Sequence, residues 1–140
     1  VGSEMCIRDR HNSRPFIFSA SIPPANAASA LCALRILKES PERVDDLMNI
    51  AEYMRGKLRE INLPIIEGST AIIPIITYDL KRTLTIAKRL LEEGVYVNPV
   101  LPPAVPSDMC LLRTSYTATH TMEQMDHAAK IFDRVFKEIG

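Results

Sequence analysis

An apolar strand, a hydroxyl-rich turn and the start of the last helix follow one another in residues 111–121, which read Leu111-Leu112-Arg113-Thr114-Ser115-Tyr116-Thr117-Ala118-Thr119-His120-Thr121. Alternate side chains of a strand share a face. We therefore expect Leu111, Arg113 and Ser115 to look one way, and Leu112 and Thr114 to look the other. The face that carries Arg113 changes from apolar to polar toward the end of the strand.

Arg113 is the residue of this stretch with the most specific chemistry. Its guanidinium presents a planar set of donors that matches a carboxylate with two parallel hydrogen bonds. The local pattern leaves two interpretations open. Arg113 either pairs with an acidic residue of its own domain or binds the carboxylate of a ligand.

Composition limits the class of protein. The chain has 140 residues, of which 46% are hydrophobic, enough for one domain with a real core. Seventeen basic and seventeen acidic residues cancel, so we expect no nucleic-acid partner. No apolar run approaches the ~20 residues that span a bilayer, and without a secretory signal pattern the expected location is the cytoplasm. The cysteines are expected to be small buried hydrophobes: Cys6, Cys32 and Cys110.

The first half of the chain predicts two helices and a strand. Apolar spacing indicates a helix over 25–39, and Ser40 is expected to cap a second helix that starts at Pro41 and ends near residue 61. A β-branched run at 70–78 predicts a strand. Pro74 cannot donate to a sheet ladder, so this strand should lie at an edge or contain a bulge.

The second half predicts a helix, two strands and a final helix. Asp79 should cap a helix that ends before Gly94, and its expected buried positions are Leu80, Leu84, Ala87 and Leu91. Residues 95–97 predict a short strand, and a stiff, proline-rich loop follows at 98–107. Thr121 and Gln124 form a capping box for the last helix.

The histidines do not predict a metal site. His120 and His127 are two helical turns apart without a third ligand of suitable spacing, so both are expected to be ordinary surface residues. The sequence also has no glycine-rich phosphate loop. The order of elements predicts an α+β fold, in which long helices precede a small β-sheet covered by helices on one face.

Four motifs resemble a known family, the α-oxoamine synthases, which are pyridoxal-phosphate (PLP) enzymes that condense an amino acid with an acyl-CoA and release CO2. The motifs lie at residues 13–24 (SRPFIFSASIPP), 71–75 (AIIPI), 94–106 (GVYVNPVLPPAVP) and 112–121 (LRTSYTATHT). Family members include serine palmitoyltransferase, 8-amino-7-oxononanoate synthase and glycine C-acetyltransferase. The wording of the third motif is most similar to serine palmitoyltransferase.

The resemblance implies a domain organisation. The chain corresponds to the C-terminal part of a fold-type I PLP-dependent transferase. Residues 1–10 are expected to be a non-native leader, residues 11–40 the end of the large domain and a connecting helix, and residues 41–140 the C-terminal small domain. The expected biological role is in sphingolipid or biotin biosynthesis.

The resemblance also implies roles for individual residues. Arg113 matches the arginine that holds the carboxylate of the amino-acid substrate. Ser19 and Ser21 match a turn that reaches the cofactor phosphate of the other subunit in a homodimer. Five residues match the segment beside the acyl-CoA channel: Asn98, Pro99, Val100, Pro102 and Pro103.

Two departures from the family pattern limit what the chain can do. The motif with the Schiff-base lysine is absent, so the chain by itself is expected to be inactive and to bind PLP mainly through the missing large domain. No residue of the chain is assigned a catalytic role. In addition, Leu101 stands where some serine palmitoyltransferases have an arginine.

Two other functions remain as alternatives. One is a fragment of a fold-type I aminotransferase of class I or II, which also places a carboxylate-binding arginine in its small domain. The other is a free-standing module that binds an amino acid for regulation.

Overall fold

The computed structural model describes residues 7–8, 11–14 and 22–140. The chain divides into two compact units, the first ending at Ser40 and the second comprising Pro41–Gly140. In the first unit, helix α1 spans Pro24–Glu39 and begins with a proline at its first position, where no intrahelical N–H bond is lost. All of its residues are exposed.

The second unit contains three helices and a three-stranded sheet. In chain order these are α2 (Glu42–Glu60), β1 (Ile72–Tyr78), α3 (Leu80–Glu92), β2 (Asn98–Val100), β3 (Cys110–Ser115) and α4 (Met122–Ile139). The strand order is β1-β3-β2, and both pairs are antiparallel. The last strand in sequence is therefore the central one, and Pro74 lies in an edge strand as expected.

The helices cover one face of this sheet. Side chains of β1 and β3 that point to that face form a single core with residues of all three helices. Representative fully buried members are Ile75, Leu112, Met54, Ile86 and Val135. On the opposite face Ile72 and Arg113 are exposed and Leu111 is half-buried. The predicted α+β arrangement with a one-sided sheet is confirmed.

Several predicted helix ends are also observed. The Asp79 carboxylate accepts a hydrogen bond from the Arg82 N–H at 2.8 Å and caps α3. Gly94 has a φ of +86°, the left-handed conformation that commonly ends a helix. Both hydrogen bonds of the capping box between Thr121 and Gln124 are present at the start of α4.

The predicted buried face of α3 is wrong by one residue. The buried residues are Thr83, Ile86 and Leu90, whereas three predicted leucines are 46, 45 and 60% exposed: Leu80, Leu84 and Leu91. Both sets have helical spacing, so periodicity did not distinguish them. Tertiary contacts do, because the buried Thr83 hydroxyl is satisfied by the Thr77 hydroxyl and the Asp79 carbonyl, each at 2.6 Å.

Three further predictions are corrected. The short strand lies at 98–100 instead of 95–97, because β3 offers its hydrogen bonds to Asn98–Val100. Ser40 does not cap α2; its N–H donates to the Ile36 carbonyl and ends α1, and Pro41 precedes α2 without a side-chain cap. Cys110 is buried, but Cys32 is exposed. Cys6 lies outside the described residues.

Candidate functional site

The open face of the sheet has Arg113 at its centre. In the central strand β3, Arg113 lies opposite Pro74 of β1 and Asn98 of β2. Directly opposite residues of antiparallel strands project from the same face. Pro74, Arg113 and Asn98 therefore form one row across the sheet, on the face that the helices leave uncovered. We call this face the open face.

The Arg113 side chain is available for a ligand. It is exposed, and among the described residues it takes part in no hydrogen bond or salt bridge. Other arginines of the same unit are paired with carboxylates: Arg59 with Glu67 at 2.6 Å, and Arg89 with Glu93 at 2.6 Å. Within the described part of the chain, the interpretation that Arg113 serves an internal acid has no support.

The rows on either side of Arg113 differ in polarity. One row, formed by Val100, Leu111 and Ile76, is apolar and half-buried, whereas the other carries Ser115 opposite Ile72. The predicted change from apolar to polar along β3 is thus present on the open face. A ligand bound at Arg113 would contact hydrocarbon on one side and a hydroxyl on the other.

Strand β3, which carries Arg113, is held to β1 by a chain of hydroxyls that are at least partly buried. The Tyr116 hydroxyl donates to Thr114 Oγ1 at 2.9 Å, and Thr114 Oγ1 donates to the Ile73 carbonyl at 2.7 Å. Burial raises the pKa of Tyr116 to about 12, so the phenol stays protonated and remains a donor at neutral pH. These bonds hold β3 against β1 and place the Arg113 backbone.

His120 is more than a surface residue. It is half-buried, and its Nδ1 accepts a hydrogen bond from the Thr117 N–H at 3.1 Å. The edge of its ring meets Tyr116, with 6.3 Å between the ring centroids. The prediction of an ordinary surface histidine is therefore wrong for His120, although His127 is exposed as expected.

A cleft of about 690 Å³ adjoins the polar end of β3. It lies between residues 94–96 and the first turns of α4, and its polar lining includes Ser115, Thr117, His120 and Gln124. We call it the turn cleft. Ser115 belongs both to the open face and to this cleft, so the two surfaces are continuous.

Comparison with known proteins identifies the family. A family described as "Aminotransferase class I and II" matches residues 3–132. This chain belongs to the aminotransferase class I and II family. Within it, the relatives are α-oxoamine synthases, and the predicted resemblance is confirmed.

Two relatives illustrate the similarity in sequence to other members. The chain is 40% identical over 130 residues to serine palmitoyltransferase of Bacteroides ovatus, covering 93% of the chain and 33% of that protein. It is 38% identical over 130 residues to 8-amino-7-oxononanoate synthase of Symbiobacterium thermophilum, with the same coverage. The chain spans about a third of the length of these relatives.

Solved structures of family members share the fold. A serine palmitoyltransferase variant from S. paucimobilis with bound PLP-myriocin aldimine matches with a TM-score of 0.81 and 31% identity, over 96% of this chain and 34% of that one. An 8-amino-7-oxononanoate synthase from Francisella tularensis matches with a TM-score of 0.72 over 97% and 40%; at 18% identity it supports the fold alone. The predicted fold-type I assignment is confirmed.

The lysines of this family member do not suit a Schiff base with PLP. All six lie on helices, as predicted from the sequence: Lys38, Lys57, Lys81, Lys88, Lys130 and Lys137. None is buried, and Lys57 is engaged by Asp126 at 3.2 Å. No group of three metal-ligating side chains occurs in the ranges that the structure describes. On the open face, the Arg113 guanidinium has the donor geometry to pair with a carboxylate, and strands β1, β2 and β3 contain no lysine.

The other predicted site residues lie in several parts of the structure. Asn98 belongs to the Arg113 row of the open face and Val100 to the Leu111 row, whereas Pro99 is opposite the buried Leu112 and belongs to the other face. Pro102 and Pro103 are exposed in the loop before β3. Ser19 and Ser21 lie outside the described residues.

None of the helices in the described ranges is both long and apolar enough to span a membrane.

Proposed function

We propose that this sequence is the C-terminal part of a PLP-dependent acyltransferase that condenses an amino acid with an acyl-CoA, releasing CO2 and giving a 2-amino ketone. The observation that carries the proposal is the exposed guanidinium of Arg113, which is unpaired among the described residues at the centre of the open face. Relatives named serine palmitoyltransferase and 8-amino-7-oxononanoate synthase support this reaction class. Of the two, we favour a serine palmitoyltransferase-like enzyme.

The role of Arg113 in this proposal is to orient the amino acid. Two parallel hydrogen bonds to the carboxylate fix its plane, and so fix the direction of the neighbouring α-carbon, where the new carbon–carbon bond forms. The central position of β3 in the sheet suits this role, because β1 and β2 hold the backbone of Arg113 from both sides. Orientation of this kind lowers the entropic part of the barrier.

The apolar row beside Arg113 is proposed to keep water away from the reacting carbon. Val100, Leu111 and Ile76 are half-buried in this chain, and a covering large domain would remove more solvent from them. Because Asn98 and Val100 border this region, we assign residues 98–100 and the loop prolines Pro102 and Pro103 to the path of the acyl-CoA. Pro99 would act by shaping β2, since its side chain points to the core face.

PLP, when bound, supplies an electron sink that stabilises negative charge at the α-carbon. The residues of this chain proposed to touch it are Ser19 and Ser21, whose hydroxyls would donate to the cofactor phosphate of the partner subunit in a homodimer. The Schiff-base lysine would come from a preceding domain. We therefore propose that the chain alone is inactive. We also propose that the complete enzyme works in the cytoplasm.

Substitution of Arg113 in the complete enzyme tests the proposal. Hydrogen bonds to charged groups contribute about 1.5 to 3 kcal/mol each, so the loss of two should raise the KM for the amino acid by at least about 100-fold in Arg113→Ala. Arg113→Lys keeps the charge but loses the planar pair of donors. Its KM should therefore lie between those of the wild type and Arg113→Ala. An unchanged amino-acid KM and kcat in Arg113→Ala would remove the assignment.

The matched control is Arg43→Ala. Arg43 is an exposed arginine of α2 without a salt bridge among the described residues. Its replacement removes the same charge from the same domain, away from the open face. The KM for the amino acid should therefore stay within about twofold of the wild-type value, as expected for a surface substitution.

The reaction class is tested by product analysis. The proposed enzyme should release CoA thiol and CO2 in equal amounts when supplied with an amino acid and an acyl-CoA. An aminotransferase would instead require a 2-oxo acid and release no CO2. Titration calorimetry of the 140-residue chain with serine, glycine and alanine should show no tight binding, whereas tight binding without PLP would favour a regulatory module.

A further inference from the structure

The turn between β3 and α4 is closed by two hydrogen bonds between the same two residues. The backbone N–H of His120 donates to the Thr117 carbonyl at 3.1 Å. The backbone N–H of Thr117 donates to the imidazole Nδ1 of His120, also at 3.1 Å. The first bond is an ordinary backbone turn bond that any residue except proline could make at position 120. The second bond needs an acceptor atom in the side chain of residue 120, within hydrogen-bond distance of the Thr117 N–H. The imidazole Nδ1 provides it.

This second bond fixes the protonation of the imidazole. Nδ1 can accept a hydrogen bond only through its lone pair, so the ring must be neutral and carry its proton on Nε2. If Nδ1 were protonated, two N–H groups would face each other across the turn. The backbone N–H of Thr117 would then lose its acceptor, and the closed form of the turn would be disfavoured.

The turn carries part of the wall of the turn cleft, which adjoins the proposed substrate site on the open face. Ser115 lies two residues after Arg113 on the open face, and Ser115, Thr117 and His120 together line the turn cleft. On the far side of His120, the edge contact with Tyr116 connects the ring to the hydroxyl chain behind β3. The turn therefore joins the surface that holds Arg113 to the start of α4.

The charged and titratable groups around His120 come from three directions. Asp46 of α2 lines a small cavity that also includes His120. Glu123 and His127 of α4 line the turn cleft with it, as does Tyr96 from the segment before β2. Tyr116 stays protonated at neutral pH for the reason given above.

We propose that His120 is a positioning residue for the amino-acid site, and that its neutral Nδ1 keeps the turn 115–121 closed so that Ser115 and the cleft wall stay aligned with Arg113. The inference rests on the proposed function of Arg113 for its kinetic consequence, but not for its structural one. It assigns His120 no contact with the substrate. Loss of the Nδ1 acceptor should open the turn and weaken amino-acid binding without abolishing the chemical step.

The structural half is tested on the 140-residue chain by NMR. Long-range ¹⁵N–¹H correlation should show the Nε2–H form of His120 at neutral pH. His120→Asn places an amide oxygen near the position of Nδ1, whereas His120→Gln places its amide at the position of Nε2. Amide exchange of Thr117 should stay slow in His120→Asn and become about fivefold faster in His120→Gln and His120→Ala, the factor expected from one lost hydrogen bond.

His127→Asn is the matched control. His127 lines the same cleft and belongs to the same residue type, but it is exposed and makes no hydrogen bond among the described residues. The exchange rate of the Thr117 amide should not change in this variant. Equal effects of the substitutions at positions 120 and 127 would overturn the proposal, as would a Thr117 amide that exchanges no faster in His120→Ala.

The kinetic half is tested in the complete enzyme. His120→Ala and His120→Gln should raise the KM for the amino acid about fivefold with little change in kcat, and His120→Asn should restore the wild-type KM. A fall in kcat with an unchanged KM would refute the positioning role.

The two proposals fail separately. Suppose that Arg113→Ala leaves the KM unchanged while the exchange of the Thr117 amide responds to the His120 substitutions as described. In that case the proposed role of Arg113 is wrong, and the role of His120 in closing the turn stands. If Arg113→Ala raises the KM and Thr117 does not respond, only the role of His120 is lost.

Discussion

Replacing Leu112 by alanine should lower the free energy of unfolding far more than the same replacement on the open face of the sheet. Leu112 is fully buried in the central strand between Ile75 and Pro99. The change removes about three methylene equivalents, worth about 0.8 kcal/mol each. A residual cavity of about 50 Å³ adds roughly 1 kcal/mol at ~24 cal/mol per Å³. We expect the free energy of unfolding to fall by about 3 to 4 kcal/mol.

Leu111→Ala is the matched control, because the same residue type lies next to Leu112 in β3 but on the open face. Leu111 is half-buried, so its truncation should lower the free energy of unfolding by only about 1 kcal/mol. Leu112→Met conserves volume and should cost less than about 1.5 kcal/mol. It also shows whether position 112 tolerates any change at all.

The assay is urea unfolding of the 140-residue chain at 25 °C, followed by circular dichroism. With an m-value of about 1.5 to 2 kcal/mol/M, Leu112→Ala should lower the midpoint by about 2 M, and Leu111→Ala by about 0.5 M. Similar midpoints for the two alanine variants, or a larger loss for Leu111→Ala, would refute the one-sided packing. The open face would then not be available for a ligand.

Three further substitutions test local features of the fold. Asp79→Ala should lower the free energy of unfolding by about 1 kcal/mol through loss of the α3 cap, and Asp79→Asn should largely retain it, as chemical denaturation would show. Gly94→Ala should cost about 1 kcal/mol in the same assay, because position 94 has a φ of +86° although a Cβ would meet no atom within 4 Å. The Tyr53 hydroxyl (2.8 Å) and then Lys57 (3.2 Å) lower the pKa of Asp126, so its stabilisation should be complete above the ordinary carboxyl range near pH 4 and be lost as the pH falls through the lowered pKa. Asp126→Asn should therefore flatten the acid limb of stability against pH, and an unchanged acid limb would contradict the assignment.

Local signals in the sequence predicted the features that depend on neighbouring residues. Asp79, Gly94 and the Thr121 and Gln124 pair each act within one turn of a helix, and all are observed in their predicted roles. The two faces of β3 were also predictable, since alternation of side chains is a property of any strand. Arg113 could be placed on the polar side of its strand for this reason.

Features that depend on distant partners were not predictable in the same way. α3 carries two apolar stripes of equal spacing, and the one containing Thr83 is buried because Thr77 supplies a partner for its hydroxyl. β2 begins at Asn98 because β3 pairs with residues 98–100, although residues 95–97 have the stronger strand composition. His120 gave no local sign that its Nδ1 accepts a hydrogen bond.

The sequence by itself determined the family and the order of helices and strands, and it singled out Arg113 as the candidate to bind a carboxylate, because these follow from motifs and from periodicities that repeat within a few residues. Only the tertiary structure decided that β3 is the central strand, that Asn98 and Pro74 flank Arg113, and that the uncovered face of the sheet is the one that carries Arg113. Pairing across the sheet joins residues that are far apart in the chain, and no short-range pattern encodes which partner a strand will choose.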